Sequence, residues 1–386
     1  MGTTDKGAEV LLVDTLSATN DYSVELALAL AERVSLTVVT VETTELCAGP
    51  SLDVLPIFPR YGGGGARWRK VLGAVRGTLS LAHALWRHRD VTVHAQFMRF
   101  PLLELPLYLL LRPWLRSLVI TVHNYLPHER RNWQSAFYLR WYRLANRLHV
   151  LSHHVGQQLT EHLNIPSDRI DVIPHGNYRR FKARHSGHAD LVRLGVAALA
   201  DPNAVVIGFF GLIRPYKGVP HLARAFARIE SHDVVLVIAG KVEESARAGM
   251  AEVATLLTDD HRYHLVPRFL DESELAALLA RADILVFPYT DISQSGALML
   301  AMTYGKAVVT NNIAGFREYL QDGETGLLCD TTNATAFAAA LERLITDPGY
   351  RLALGRRAGE EMETRFGWAT IADAMIACYR RAQDQA

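Results

Sequence analysis

The chain has 386 residues, which at roughly 150 residues per domain suggests two to three domains. Hydrophobic residues make up 49% and charged residues 21%, which excludes disordered, collagen-like and disulfide-scaffold classes. The net charge of +1 hides an asymmetry: between Arg60 and Arg147 fifteen Lys and Arg stand against three acids, +12, while the rest of the chain carries −11.

Five of the six tryptophans, Trp68, Trp86, Trp114, Trp133 and Trp141, lie in that basic segment. A basic surface rich in tryptophan suits an anionic membrane face, where Arg snorkels and indoles sit at the headgroups. Nucleic acid competes for positive charge. No helix-turn-helix, zinc-finger or ribonucleoprotein motif is present, so no nucleic acid is expected. Cys47, Cys329 and Cys378 are far apart and form no CxxC pair, which fits a reducing cytoplasm and excludes a cysteine zinc site. Residues 1–9 are polar, and no signal peptide is expected. The most apolar stretch, Pro101 to Val122, is broken by Glu104, Arg112, Arg116 and three prolines. It is too interrupted to span a bilayer and reads as an interface-lying segment. The expected location is cytoplasmic, peripheral to the inner face of the plasma membrane.

Short Val/Ile-rich runs alternate with helical patterns. Val10–Val13, Leu36–Val41, Val91–His94, Leu118–Val122, Leu148–Leu151 and Ile170–Ile173 read as buried strands. The helical stretches between them include Tyr22–Arg33, Arg67–Arg89 and Asn132–Arg147. The rhythm pauses over 179–203, read as a linker. It resumes with Val205–Gly211, Val234–Gly240, His264–Val266, Ile284–Pro288, Ala307–Thr310 and Gly326–Cys329. The expected fold is α/β, with two doubly wound, Rossmann-like domains, 1–178 and 204–367, facing a cleft. The last helix, 368–386, is expected to pack back on the first domain. Ligands bind such sheets at the carboxyl ends of their strands. Neither half carries GxGxxG or GxxxxGK[ST], which disfavours nicotinamide dehydrogenases and P-loop NTPases.

Two motifs mark the second half. Gly208-Phe-Phe-Gly-Leu-Ile-Arg-Pro-Tyr-Lys-Gly218 ends a strand in a loop with two cations, Arg214 and Lys217, just before a helix. Such a site can hold a diphosphate leaving group without a metal. The plainer reading is a pair of ordinary loop cations around a turn. Phe287-Pro-Tyr-Thr-Asp-Ile-Ser-Gln-Ser-Gly296 places Ser293, Gln294, Ser295 and Gly296 where a helix starts. Their hydroxyls and N–H groups suit a phosphate, or equally a simple helix cap.

In the first half, His123-Asn124-Tyr125-Leu126-Pro127-His128-Glu129 follows a strand and sets two imidazoles, an amide and a carboxylate at the sheet edge. A base at such an edge can take a proton from a hydroxyl. Glu129 is the first candidate, His128 the second, with His123 beside them. The H-x4-H-E spacing is not that of a zinc pair, and no metal is expected. Weaker candidates for a ligand are Asn20, Tyr22, His94, Gln96, Asn124 and His175 in the first half and Arg268, Tyr289 and Glu318 in the second. Each has a structural alternative as a cap, turn or core residue.

"FGLIRPYKGVPHLARAF", "RADILVFPY" and "NIAGFREYLQDGETGLL" resemble the donor half of glycosyltransferase family 4, and "TVHNYLPHE" and "VIPHGNY" extend the likeness to the first half. The resemblance implies a GT-B fold and a nucleotide-sugar donor used as substrate, with no cofactor. Family 4 carries two glutamates across the donor loop and helix; in register this chain has Ile292 and Leu300. With "PYTDISQSGALMLAM" in their place, the chain is more similar to the β-mannosyltransferases of xanthan-type exopolysaccharide assembly. That resemblance implies inverting transfer of mannose from GDP-mannose to a lipid-linked oligosaccharide, with Glu129, then His128 and His123, as the base for the acceptor hydroxyl. It implies the acceptor for Asn20, Tyr22, His94, Gln96, Asn124 and His175, the nucleotide for Arg268 and Tyr289, and the donor sugar or phosphate for Glu318. A retaining family 4-like transferase using another UDP- or GDP-sugar, an inactive scaffold of a membrane assembly, and a nucleotide-sugar epimerase remain alternatives.

Overall fold

The computed structural model describes residues 9–15, 21–42, 44–58, 67–123, 132–186, 191–292 and 294–386. Its contacts divide the chain into two units, Met1–Gly176 with Gly367–Ala386, and Asn177–Phe366.

In the first unit, apolar runs bounded by turn residues form β1 (Glu9–Asp14), β2 (Ser35–Val41), β3 (Leu52–Phe58), β4 (Thr92–Phe97), β5 (Ser117–Val122), β6 (Arg147–Val150) and β7 (Ile170–Val172). They pair in the order β3-β2-β1-β4-β5-β6-β7, all parallel. Five residues of β1 and all six of β5 are buried, as covering on both faces requires. Strand β3 is absent from the sequence reading because Pro56 interrupts its pattern; as an edge strand it tolerates the missing N–H. Three helices matter below: α1 (Asp21–Ala31), α2 (Arg67–Arg87) and α3 (Pro101–Leu111). The Trp368–Asp384 helix packs on α1, β4, β5 and β6 within this unit.

The second unit holds β8 (Val205–Phe210), β9 (Val234–Ala239), β10 (Tyr263–Val266), β11 (Ile284–Phe287), β12 (Ala307–Asn311) and β13 (Leu327–Cys329). Their order is β10-β9-β8-β11-β12-β13, again all parallel. The segment 179–203, expected as a linker, instead buries Phe181, Leu194 and Leu199 in this unit's core. In each sheet the chain order reverses beside the first strand, at β1/β4 and β8/β11. Ligands of open α/β sheets bind at such switch points.

A hydrogen-bonded row crosses the first sheet and fixes the state of two histidines. His149 Nε2 lies 2.9 Å from the Ile173 carbonyl, which only accepts, so Nε2 carries the proton. Nδ1 of neutral His149 then accepts from Thr121 Oγ1 at 2.9 Å. That hydroxyl accepts in turn from His94 Nε2 at 2.7 Å. His94 Nδ1 accepts from the Tyr379 hydroxyl at 2.7 Å. Burial lowers both imidazoles, His149 to about 4 and His94 well below its usual range.

The folded row therefore refuses protons that the unfolded chain accepts below about pH 6.5. Stability contributed by His149 is complete above that pH and is lost as pH falls toward about 4, and His94 acts in the same direction. The slope is roughly 1.4 kcal/mol per pH unit for each histidine. Urea unfolding at stepped pH should show it. A His94→Gln, His149→Gln double variant should be less stable at neutral pH yet lose stability more gently in acid. An unchanged acid slope would remove these two histidines as its source.

Candidate active site

At the carboxyl edge of the second sheet, two glycine-dependent turns bring strand ends and a helix start together. Gly211, with φ 112°, follows β8, and a Cβ there would lie 3.3 Å from Lys217 Nζ. Gly218, with φ 66°, starts the Val219–Phe226 helix so close to the Pro288 carbonyl that any Cβ would strike it. The loops after β8 and β9 are zipped together by Gly211 N to Ala239 O, Ile213 N to Lys241 O and Glu243 N to Ile213 O, at 2.9–3.0 Å.

This frame places the two predicted cations. Lys217 Nζ donates to the Tyr289 hydroxyl at 3.1 Å and lies 4.7 Å from the centre of that ring. Burial, with Arg214 nearby, lowers the ammonium to about 8. Arg214 Nε donates to Glu243 Oε1 at 2.9 Å, and this pairing raises the guanidinium. Both partners are about one-third exposed, which leaves room for a second anion. Tyr289 is buried beneath Lys217 and positions it; its carbonyl accepts from Asn311 Nδ2 at 2.9 Å.

Across the switch point, the Gly296–Thr303 helix starts at Ser295, a buried cap whose Oγ accepts from Leu298 N at 3.2 Å. Gln294 and Gly296 are half-buried beside it. Ser293 lies outside the described residues. Ile292 packs half-buried against the core, and Leu300 is buried within it. Both positions that hold glutamate in family 4 are thus apolar packing here.

The remaining candidates of this unit sit elsewhere in its hydrogen-bond network. Arg268 donates to both carboxylate oxygens of Glu274, at 2.8 and 2.9 Å. Glu274 is itself tied into the capping box of the Glu272–Arg281 helix with Asp271. Glu318 caps the short Ala314–Arg317 helix, and its carbonyl accepts from Arg365 Nη2 at 3.0 Å.

In the first unit, Tyr22, Gln96, His123 and His175 come together at the β1/β4 edge. His123 Nε2 donates to Gln96 Oε1 at 3.1 Å, and its ring stacks on Phe97 at 4.1 Å. Tyr22 packs edge-on to His123, against His175 and against Trp368. Burial lowers His123 to about 3 and His175 to about 4, so both are neutral. Tyr22, Gln96 and His175 are buried and form the support; His123 is the half-buried member. His94 sits two residues back along β4 with both ring nitrogens bonded inside the fold, which gives it a structural place rather than a lining one. Asn20, Asn124, His128 and Glu129 lie outside the described residues. Among the described residues no group of three or more His, Cys, Asp or Glu side chains is placed to hold a metal ion.

Sequence reasoning passed over Glu243, Asn311 and Trp368. Glu243 had a signal, an acid just past the strand end in "IAGKVEES". Trp368 had another, as the one tryptophan outside the basic segment. Asn311 offered none.

The family described as Glycosyltransferase Family 4 matches residues 20–177, and the family described as Glycosyl transferases group 1 matches residues 204–347. A D-inositol 3-phosphate glycosyltransferase of Rhodococcus jostii (strain RHA1) is 29% identical over 246 residues, 62% of this chain and 53% of that protein. A GDP-mannose:glycolipid 4-beta-D-mannosyltransferase of Xanthomonas campestris pv. campestris is 27% identical over 191 residues, 50% of this chain and 49% of that protein. The chain spans about half the length of these relatives. Among solved structures, HepE of Anabaena, in complex with UDP and glucose, aligns over 96% of this chain and 98% of its own, at 18% identity and a TM-score of 0.63. The catalytic domain of starch synthase IV from Arabidopsis thaliana, bound to ADP and acarbose, covers 98% of this chain and 99% of its own, at 15% identity and a TM-score of 0.70. The two halves of the chain thus match the models of a Glycosyltransferase Family 4 domain and a Glycosyl transferases group 1 domain in turn, on a fold shared with GT-B glycosyltransferases.

Proposed function

We propose that the chain transfers a sugar, with inversion, from a nucleoside-diphosphate donor to a lipid-linked oligosaccharide in exopolysaccharide biosynthesis. The donor of this reading is GDP-mannose. The observation that carries it is the Arg214 and Lys217 pair at the β8 edge, held by Glu243 and Tyr289. When the anomeric carbon–oxygen bond breaks, both bonding electrons stay on the leaving diphosphate, and two cations and a helix N-terminus offset that charge without a metal. The acceptor hydroxyl forms the new bond and gives its proton to Glu129, with His128 as the alternative base. Ile292 and Leu300, in place of the family 4 glutamates, favour this reading over a retaining one. So does the activity for which the Xanthomonas relative is named. In this reading residues 1–178 bind acceptor and membrane, and 204–367 bind the donor.

The membrane part rests on α2 and α3. Trp68 is 62% exposed, Leu72 60%, Leu79 66%, and on α3 Leu102 is 73% exposed. Trp86 meets Trp114 edge-on at 6.0 Å, both about half exposed. Arg69 lies 5.3 Å from the Trp68 ring centre. Indoles and leucines beside arginine suit an anionic leaflet, where each cation near the surface is worth about 1 kcal/mol. Among the described residues no helix is long and apolar enough to cross a membrane.

Proton NMR of the product should show the anomeric configuration opposite to that of the donor; retention would favour the family 4-like alternative. Glu129→Gln should lower turnover about 10²–10⁴-fold with nucleotide affinity intact. Near-full turnover in that variant, lost in His128→Ala, would move the base to His128. EDTA should leave activity unchanged.

Unliganded Lys217 loses its charge as pH rises through about 8, while a diphosphate stays ionised. GDP affinity measured by calorimetry should therefore fall from about pH 7 to about pH 9. Lys217→Met should bind about tenfold more weakly at neutral pH and show no such fall. A wild-type affinity level across this window would remove Lys217 from the diphosphate.

Vesicle co-sedimentation checks the membrane face. Binding to anionic vesicles should exceed binding to neutral ones, decline with salt, and weaken in a Trp68→Ser, Arg69→Glu variant that stays folded. Equal binding to both vesicle types would assign this surface to something else.

A further inference from the structure

Between α2 and the edge strand β3 lies a groove of about 870 Å³. Its floor is Leu55 and Ile57 of β3, and its outer wall is Leu72 and Leu79 of α2. It runs beside α2 from Leu72 to His88, about 24 Å at 1.5 Å per residue. Arg76 and Arg87 line it with His83 and His88, against one acid, Asp53.

Helical spacing explains this arrangement. Trp68, Leu72, Val75 and Leu79 recur every three to four residues, and with Trp86 two turns further on form one exposed apolar stripe. Arg76, His83 and Arg87 recur on the flank of that stripe nearer β3, where they line the groove. The groove thus begins at a membrane-suited face, passes a cationic lip, and continues as an apolar trough. An extended peptide is a poor occupant: Pro56, exposed on β3, removes an N–H that strand addition would need.

The geometry points to the groove as the seat of a single long apolar chain bearing an anionic head, the isoprenoid phosphate portion of the lipid-linked acceptor. This rests on the lipid-acceptor reading above and adds a place for the tail. Leu72 and Leu79 belong to both the stripe and the groove, so a chain enters sideways from the bilayer without crossing water. Arg76, about one turn from Leu72, meets its phosphate charge. Because α2 starts at the carboxyl edge of the sheet, the Leu72 end of the groove is the end nearer His123.

Ser80, half-buried in the groove lining, offers a test that leaves the apolar stripe and every candidate catalytic group intact. Geranylgeranyl monophosphate should bind the full chain, and Ser80→Trp should weaken that binding at least about tenfold by filling the trough. Ile57→Ser serves as the second variant should the first not fold. Geranyl monophosphate and inorganic phosphate should bind far more weakly, since they lack the chain. Dihexanoyl phosphatidylglycerol should compete poorly. In Ser80→Trp, KM for a long-chain acceptor should rise about tenfold, with kcat, a short soluble acceptor and vesicle binding unchanged. Unaltered geranylgeranyl phosphate binding and KM in folded variants would overturn the groove assignment, as would equal competition by the phospholipid. Chain binding abolished by Ser80→Trp in a protein that transfers to no lipid acceptor would keep the groove and overturn the acceptor reading.

Discussion

Lys217 carries charge where burial works against it. An ammonium that is mostly desolvated drops toward neutrality unless something holds the proton. Here the Tyr289 hydroxyl accepts from Nζ and the Tyr289 ring lies beneath it, a hydrogen bond and a cation–π contact from one side chain. Tyr289 is fixed in turn by Asn311 at the end of β12 and by the β11 turn, whose Thr290 N donates to Tyr216 O at 2.8 Å. Three strand ends thus converge on one cation. Burial also makes the site responsive: an anion arriving there would stabilise the ammonium more than water does, because few solvent dipoles compete at that depth.

The same edge accounts for the missing glutamates. Leu300 lies inside the second unit's core on the Gly296–Thr303 helix, and Ile292 closes against that core. The Ile292 backbone lies so near Gly315 that any Cβ on Gly315 would strike the Ile292 carbonyl. A carboxylate at Leu300 would have to be desolvated among leucine and methionine side chains, which costs several kcal/mol without a partner. Restoring the two glutamates would therefore need the loop and helix start to move outward. The apolar pair is part of the packing rather than a local loss of function.

Much of this was legible in the residue order. Alternating apolar runs and helices imply two parallel sheets, and parallel sheets place their working ends at the carboxyl edge. That reasoning reached Arg214, Lys217, Ser295 and His123 without coordinates. Strand β3 escaped because Pro56 breaks the pattern that identifies strands. The partners escaped for another reason. Glu243 lies 29 residues from Arg214, Tyr289 lies 72 from Lys217, and Tyr379 lies 285 from His94. Pairings of that range are set by the sheet order, and no spacing rule reports them. His94 shows the cost: a histidine near a strand end looks like a site residue until Tyr379 and Thr121 are seen to take both its nitrogens.

The two sheet edges differ in electrostatic construction, and the difference suits opposite tasks. At the first, His123, His149 and His175 are neutral because burial opposes their charging, and Asp14 lies buried at the end of β1. A base that removes a hydroxyl proton needs such surroundings, since nearby cations stabilise its deprotonated form and weaken it. At the second, Arg214 and Lys217 place positive charge at the sheet's carboxyl edge, which suits the leaving group of the proposed transfer. Exchanging these environments would weaken both groups, lowering the basicity of one and leaving the other's charge unmet. The buried histidine row belongs to the same logic. Each proton in it has one assigned place, so its histidines stay neutral at neutral pH while the segment around them carries an excess of arginine. In the proposed transfer, a strongly basic surface would then suit an anionic leaflet without imposing its charge on the buried histidines of the first edge.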